Sequence, residues 1–84
     1  MTYLIPDDVL AAHLEGEAVL LDLKTKQYYR LNATAATIWK SVEARLEPRQ
    51  IVDVLIQEFA VERALAQAET ERTLDDLRAR GLLT

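Results

Sequence analysis

Hydrophobic positions alternate in the first part of the chain and recur at helical spacing in the second, with the change near Asn32. Between residues 17 and 23, Val19, Leu21 and Leu23 share one face and Ala18, Leu20 and Asp22 the other, which is the period of a strand. Val9–Leu14 predicts a strand ahead of it, although Ala11 and Ala12 are weak strand formers. Glu15-Gly16 supplies the tight turn between the two. Gln27–Leu31, rich in tyrosine, predicts a third strand reached through Lys24-Thr25-Lys26. Three short strands joined in this way ask for an antiparallel meander. Tyr3 to Ile5 reads as an extended lead-in that ends at Pro6.

Beyond Asn32 the spacing predicts three helices. Asn32 suits an N-cap, where its side-chain oxygen accepts an orphan backbone N–H. Ala35, Ile38, Trp39, Val42 and Leu46 then form one apolar stripe. Pro48 fits the first position of a second helix, where no N–H is required. Ile51, Val52, Leu55, Ile56 and Phe59 give that helix a wide inner face. A third helix is expected over 62–80, with Leu65, Ala68, Leu74 and Leu77 inward. Gly81 should end it in the left-handed conformation, with Leu82 and Leu83 folding back over the cap. Glu69 to Thr73 is polar and interrupts the inner stripe. Either this is a solvated stretch with charge pairs such as Asp76 with Arg80, or the helix packs at its ends and leaves one flank open for a ligand.

Length and composition narrow the function. The 84 residues make one domain, 1–84, with a modest core. There is no cysteine, which removes disulfides, thiolate catalysis and cysteine-based zinc sites and makes a reducing, cytoplasmic setting the expectation. No apolar run approaches a membrane span, and the first residues lack the basic start of a signal peptide. The net charge is −4, against the basic balance of domains that track nucleic acid. Lys24, Lys26 and Arg30 nevertheless form a local basic run without an acid, read either as solubility and turn chemistry or as a steering patch.

Catalytic chemistry is hard to assemble from what remains. His13 is the single histidine, and nothing in the sequence suggests a nucleophile or an orienting partner for it. Asp7-Asp8 and Asp75-Asp76 are adjacent carboxylates that diverge by about 100° on a helix. The two glycines stand in separate turns, so no phosphate-cradling loop exists. No catalytic residue, metal site or cofactor is expected, and the chain does not read as an enzyme.

In a three-stranded meander the middle strand is covered on both sides and the third is an edge. Edges are normally blunted by proline, bulges or brevity; Gln27-Tyr28-Tyr29-Arg30-Leu31 contains neither proline nor glycine. Such an edge is an aggregation risk or a site for strand addition.

The segment LLDLKTKQYYRLNATAATIW, residues 20–39, resembles the signature of the pyrroloquinoline-quinone biosynthesis protein D family. The shared features are Leu-Leu-Asp, a short turn, Tyr-Tyr-x-Leu-Asn, then Thr, a small residue and a downstream Trp. The likeness continues through Ile51, Val52, Leu55 and Phe59 to Asp75, Leu77 and Gly81-Leu82-Leu83, and it covers nearly the whole chain from Val9. The Tyr-Tyr-x-Leu-Asn piece is the specific part; the helical leucines are not. The resemblance implies an α+β, winged helix-turn-helix-like domain: a three-stranded antiparallel meander followed by three helices. It implies a recognition element that binds the leader segment of a ribosomally made, post-translationally modified peptide. The leader would add as an antiparallel strand to the third strand and lie against the third helix. The peptide-binding residues it implies are Lys26, Gln27, Tyr28, Tyr29, Arg30, Leu31, Leu74, Asp75, Leu77 and Arg78.

Within the family, the compact length and the Val9-Leu10-Ala11-Ala12 strand look like the stand-alone recognition protein of lasso-peptide operons, whose partners are the precursor leader peptide, a leader peptidase and a cyclase. The alternative is the cofactor-pathway protein itself, which serves a radical enzyme. Outside the family, a small winged-helix DNA-binding regulator is a rival, but the predicted second and third helices carry too much acid to read a groove. A purely structural, oligomerising subunit is another. One departure stands out: the family turn often carries glycine where Lys26 stands. A left-handed lysine there would cost ~1–2 kcal/mol, so either the turn differs or the strain is held.

Overall fold

The computed structural model describes residues 3–84; Met1 and Thr2, counted in the single domain expected over 1–84, lie outside the described residues. Three strands, β1 (Val9–Leu14), β2 (Glu17–Asp22) and β3 (Gln27–Leu31), are followed by three helices, α1 (Ala33–Glu43), α2 (Pro48–Phe59) and α3 (Arg63–Ala79). The sheet is antiparallel in the order β1-β2-β3. This is the expected α+β meander with three helices after it.

One face of the sheet packs on the helices. Ala18, Leu20 and Asp22 of β2 are buried, so the inner face is the one carrying the aspartate, not the Val19-Leu21-Leu23 face that is richer in large apolar side chains. Leu23 lies outside the strand that was expected to include it, because the turn begins one residue earlier. Asp22 Oδ1 accepts from the backbone N–H groups of Lys24 (2.9 Å) and Thr25 (3.4 Å), and Lys26 N donates to the Asp22 carbonyl at 2.7 Å. Lys26 closes this turn at φ 65, so the left-handed strain is present.

Asn32 caps α1 as predicted, its Oδ1 accepting from Ala35 N at 2.9 Å. The helix then delivers Ile38 and Trp39 fully buried at the centre of the core. Leu46 falls outside α1, which stops at Glu43. Leu46 N instead donates to Ser41 O and Arg45 N to Val42 O, a Schellman closure with Arg45 at φ 62. Pro48 opens α2, and Gln50 Oε1 accepts from Glu47 N at 2.8 Å. Ala60 ends α2 at φ 52.

The inner stripe of α3 differs from the expectation in its first half. Leu65 and Ala68 are exposed, and Ala66 and Thr70 are buried with Leu74 and Leu77. The larger side chain at 65 drew the prediction, but the helix turns Ala66 and Thr70 inward. The polar middle therefore packs through Thr70. Gly81 takes φ 76, with Gly81 N donating to Arg78 O and Leu82 N to Leu77 O. Leu82 and Leu83 are buried as foreseen. Beyond them, Leu4 and Thr84 exchange backbone hydrogen bonds in both directions, 3.3 and 2.9 Å.

Candidate functional site

Among the described residues β3 hydrogen-bonds β2 along one side only, so its other side is a free edge of five residues. Its side chains alternate. Gln27, Tyr29 and Leu31 stand opposite Asp22, Leu20 and Ala18, on the helix side of the sheet. Tyr28 and Arg30 stand on the outer side, and Tyr28 is 71% exposed. The adjacent tyrosines thus divide: Tyr29 packs against the core, and its hydroxyl donates to Gln27 Oε1 at 2.8 Å.

Beside this edge the sheet and α3 diverge and leave a trough. It consists of two concavities of about 180 and 200 Å³ that share Arg30, Leu31, Asp76 and Leu77. The first adds Asn32, Ala35, Glu69, Arg72 and Thr73. The second adds Tyr29, Arg80 and Leu82. Leu31 and Leu77 form its apolar floor; both are buried. Charged residues of α3 form one wall. Arg72 pairs with Glu69 at 2.6 Å, and Arg80 with Asp76 at 3.1 Å. The Arg80 guanidinium also lies 5.6 Å from the centre of the Tyr29 ring, near the outer limit of a cation–π contact. On the outer side of β3, Arg30 pairs with Glu17 at 2.9 Å.

Among the residues expected at the site, Tyr29, Arg30, Leu31 and Leu77 line the trough. Lys26, Gln27 and Tyr28 are at or on the edge strand without lining it. Leu74 is in the core, 1% exposed. Asp75 is exposed and borders neither concavity. Arg78 lies over the Tyr3 ring, 4.4 Å from its centre. Sequence reasoning did not single out Glu69, Arg72, Thr73, Asp76 or Arg80 as trough residues. The signal was available once Leu77 was placed inward: 73 and 80 lie four residues before it and three after it, and 69, 73, 76 and 80 succeed one another at four- and three-residue steps along that flank.

A larger concavity of about 490 Å³ lies between α2 and α3, lined by Pro48, Arg49, Val52, Arg63, Gln67, Thr70 and Glu71. Thr70 Oγ1 is buried there without a hydrogen-bond partner. This concavity borders no strand edge, whereas the trough runs beside a row of backbone donors and acceptors. Elsewhere, His13 Nε2 stands 3.0 Å from Glu43 Oε1, and Trp39 Nε1 donates to Glu43 Oε2 at 3.1 Å. This network fastens β1 to α1. Among the described residues no three His, Cys, Asp or Glu side chains are grouped to hold a metal. No helix among them is long and apolar enough to cross a membrane.

The sequence model of the family described as "Coenzyme PQQ synthesis protein D (PqqD)" matches residues 17–83. No curated protein sequence matches the chain. Among solved structures, "TbiB1 in Complex with the TbiA(beta) Leader Peptide" is 35% identical with a TM-score of 0.89, over 95% of this chain and 93% of that one. "Lasso peptide synthetase B1 complexed with the leader peptide" is 25% identical with a TM-score of 0.90, over 100% of this chain and 99% of that one.

Proposed function

The chain belongs to the PqqD family, and on that premise we propose that it binds the leader segment of a ribosomally synthesised precursor peptide by strand addition to β3. The observation that carries this reading is the free, unblunted β3 edge beside the trough, in a chain similar along its length to two proteins solved with leader peptides. An incoming strand antiparallel to β3 would satisfy edge N–H and C=O groups that otherwise face water. Its alternate side chains would enter the trough against Leu31 and Leu77. Affinity then comes largely from main-chain hydrogen bonds and selectivity from the trough. Of the residues named from sequence, Tyr29, Arg30, Leu31 and Leu77 would touch the peptide's side chains. Lys26, Gln27 and Tyr28 would act through the strand, and Leu74, 1% exposed, would matter only through the stability of the core. Asp75 and Arg78 would contribute only if the peptide extends past the trough.

The role is one of presentation: the domain holds the leader while separate enzymes, a leader peptidase and a cyclase of lasso-peptide biosynthesis, act on the precursor. The likeness to lasso peptide synthetase B1 favours that pathway. The family description favours a second reading, a precursor chaperone in coenzyme PQQ synthesis. Neighbouring open reading frames discriminate: a peptidase and an asparagine-synthetase-like cyclase support the first, a radical enzyme the second.

Amide hydrogen exchange tests the docking itself. With the TbiA(β) leader as probe, amides of Gln27–Leu31 that face away from β2 should gain protection, and those of the β1 edge should not. Protection confined to β1 or to α2 would overturn the reading.

A further inference from the structure

The wall of the trough carries charges in a fixed order. Glu69, Arg72, Asp76 and Arg80 all line it, and the last three are four residues apart, Arg72 and Asp76 on α3 and Arg80 at its C-cap. A helix rises 1.5 Å per residue, which separates those three by ~6 Å along the axis. A strand advances ~3.3–3.4 Å per residue, so side chains on one of its faces recur every ~6.6–6.8 Å. Three charges on the helix therefore fall nearly in step with three alternate residues of a strand laid beside it.

Direction follows from the same residues. Leu31 and Asn32, at the end of β3, share a concavity with Glu69 and Arg72 from the middle of α3. Tyr29, earlier in β3, shares the other with Arg80 at the end of α3. β3 and α3 thus run in opposite senses along the trough. A strand antiparallel to β3 runs with α3 and meets Arg72 first, then Asp76, then Arg80.

Resting on the docking reading above, we propose that this wall selects peptides by the order of their charges: an acid, a base and an acid at positions i, i+2 and i+4, from N- to C-terminus, on the face turned to α3. The existing pairs do not compete strongly. Side chains of Arg72, Asp76 and Arg80 are more than half exposed, at 71, 58 and 51%, and pairs three or four residues apart on an exposed helix are weak and readily exchanged. A docked strand covers one side of each charge. A like charge opposite is then penalised more than it would be in open water. A surface that served solubility alone would not need its alternating charges on the flank that borders the free edge.

The test is a charge scan of the TbiA(β) leader, each position replaced in turn by Glu and by Lys, with dissociation constants read by fluorescence polarisation at low salt. Three positions two residues apart should prefer Glu, Lys and Glu in that order, each by about two- to five-fold, the scale of an exposed ion pair. R72E should invert the preference at the first position only, D76K at the second and R80E at the third, while R72K should keep it. Circular dichroism and thermal melts establish that each variant is folded. Preferences without a two-residue period, or variants that invert no position or the wrong one, overturn the charge order while leaving docking intact. If the unsubstituted peptide at millimolar concentration protects no β3 amide, docking fails and the charge order with it.

Discussion

Replacing Lys26 by glycine should make this protein more stable. Lys26 sits at φ 65 in the turn that launches β3, where an L side chain crowds its own carbonyl by ~1–2 kcal/mol. Glycine removes that crowding but loses more freedom on folding, a cost of roughly 0.5–1 kcal/mol. The net expectation is a gain of about 0.5–1 kcal/mol, which for a domain of this size raises the melting temperature by roughly 3–6 °C. The Lys26 N–H donates to the Asp22 carbonyl at 2.7 Å, and glycine keeps that bond. Urea unfolding followed by fluorescence reads the change directly, since Trp39 is the single tryptophan and is wholly buried. Two controls separate strain from charge. Lys26→Ala loses the charge yet keeps the strain, and should change little. Lys24→Gly removes a lysine from the same turn at a residue without positive φ, and should lose about 0.5–1 kcal/mol, chiefly the same entropy term, since its 3.9 Å pair with Asp8 is exposed and worth little. If Lys26→Ala gains as much as Lys26→Gly, charge is the cause and the strain argument is wrong. If Lys26→Gly loses stability, the lysine makes a contribution that outweighs its backbone cost.

The closures of α1 and α3 offer a reciprocal pair. Arg45→Gly should gain about 0.5–1 kcal/mol and Gly81→Ala should lose about 1, because both residues occupy the left-handed position of the same motif; denaturant midpoints with an unchanged m-value check both. Leu74→Ala should cost ~2–5 kcal/mol as a core truncation, and any loss of TbiA(β) leader binding should vanish when binding is measured well below the variant's melting temperature. Lys24, Lys26 and Arg30 lie about the proposed docking edge, so raising salt from low to physiological strength should slow association of an acidic peptide more than it speeds dissociation. A response in dissociation alone would show that these residues do not steer.

Most of the architecture could be read from the chain because local and global signals agree. Asn32, Pro48 and Gly81 mark helix ends by chemistry that acts within a few residues. What misled was relative size and reach. On β2, alternation separated the Val19-Leu21-Leu23 face from the Ala18-Leu20-Asp22 face without saying which is inner; the inner one carries Asp22, whose carboxylate accepts from the turn that follows. On α3, Leu65 outweighed Ala66 in any hydrophobic reading, but it is Ala66 that the helix turns to the core, with Leu65 left exposed. Left-handed Arg45 and Ala60 gave no signal, since neither residue type advertises positive φ. At the site, the Tyr-Tyr strand was visible as an unprotected edge. The α3 wall was harder to read: whether 74, 75 and 78 or 73, 76 and 80 border the trough depends on the rotation of the helix about its axis. That rotation is set by Ala66, Thr70 and Leu77 against the core.

The reciprocal bonds between Leu4 and Thr84 bring the polypeptide into and out of the fold at a single corner. A domain with adjoining points of entry and exit can be spliced into an exposed loop of a larger protein without prising that loop apart. The same closure makes circular permutation a matter of a few linking residues, with the chain reopened between α1 and α2. The free edge of β3 and the α3 wall would pass through either rearrangement with their register unaltered, since neither strand pairing nor helix rotation depends on which peptide bond is left open.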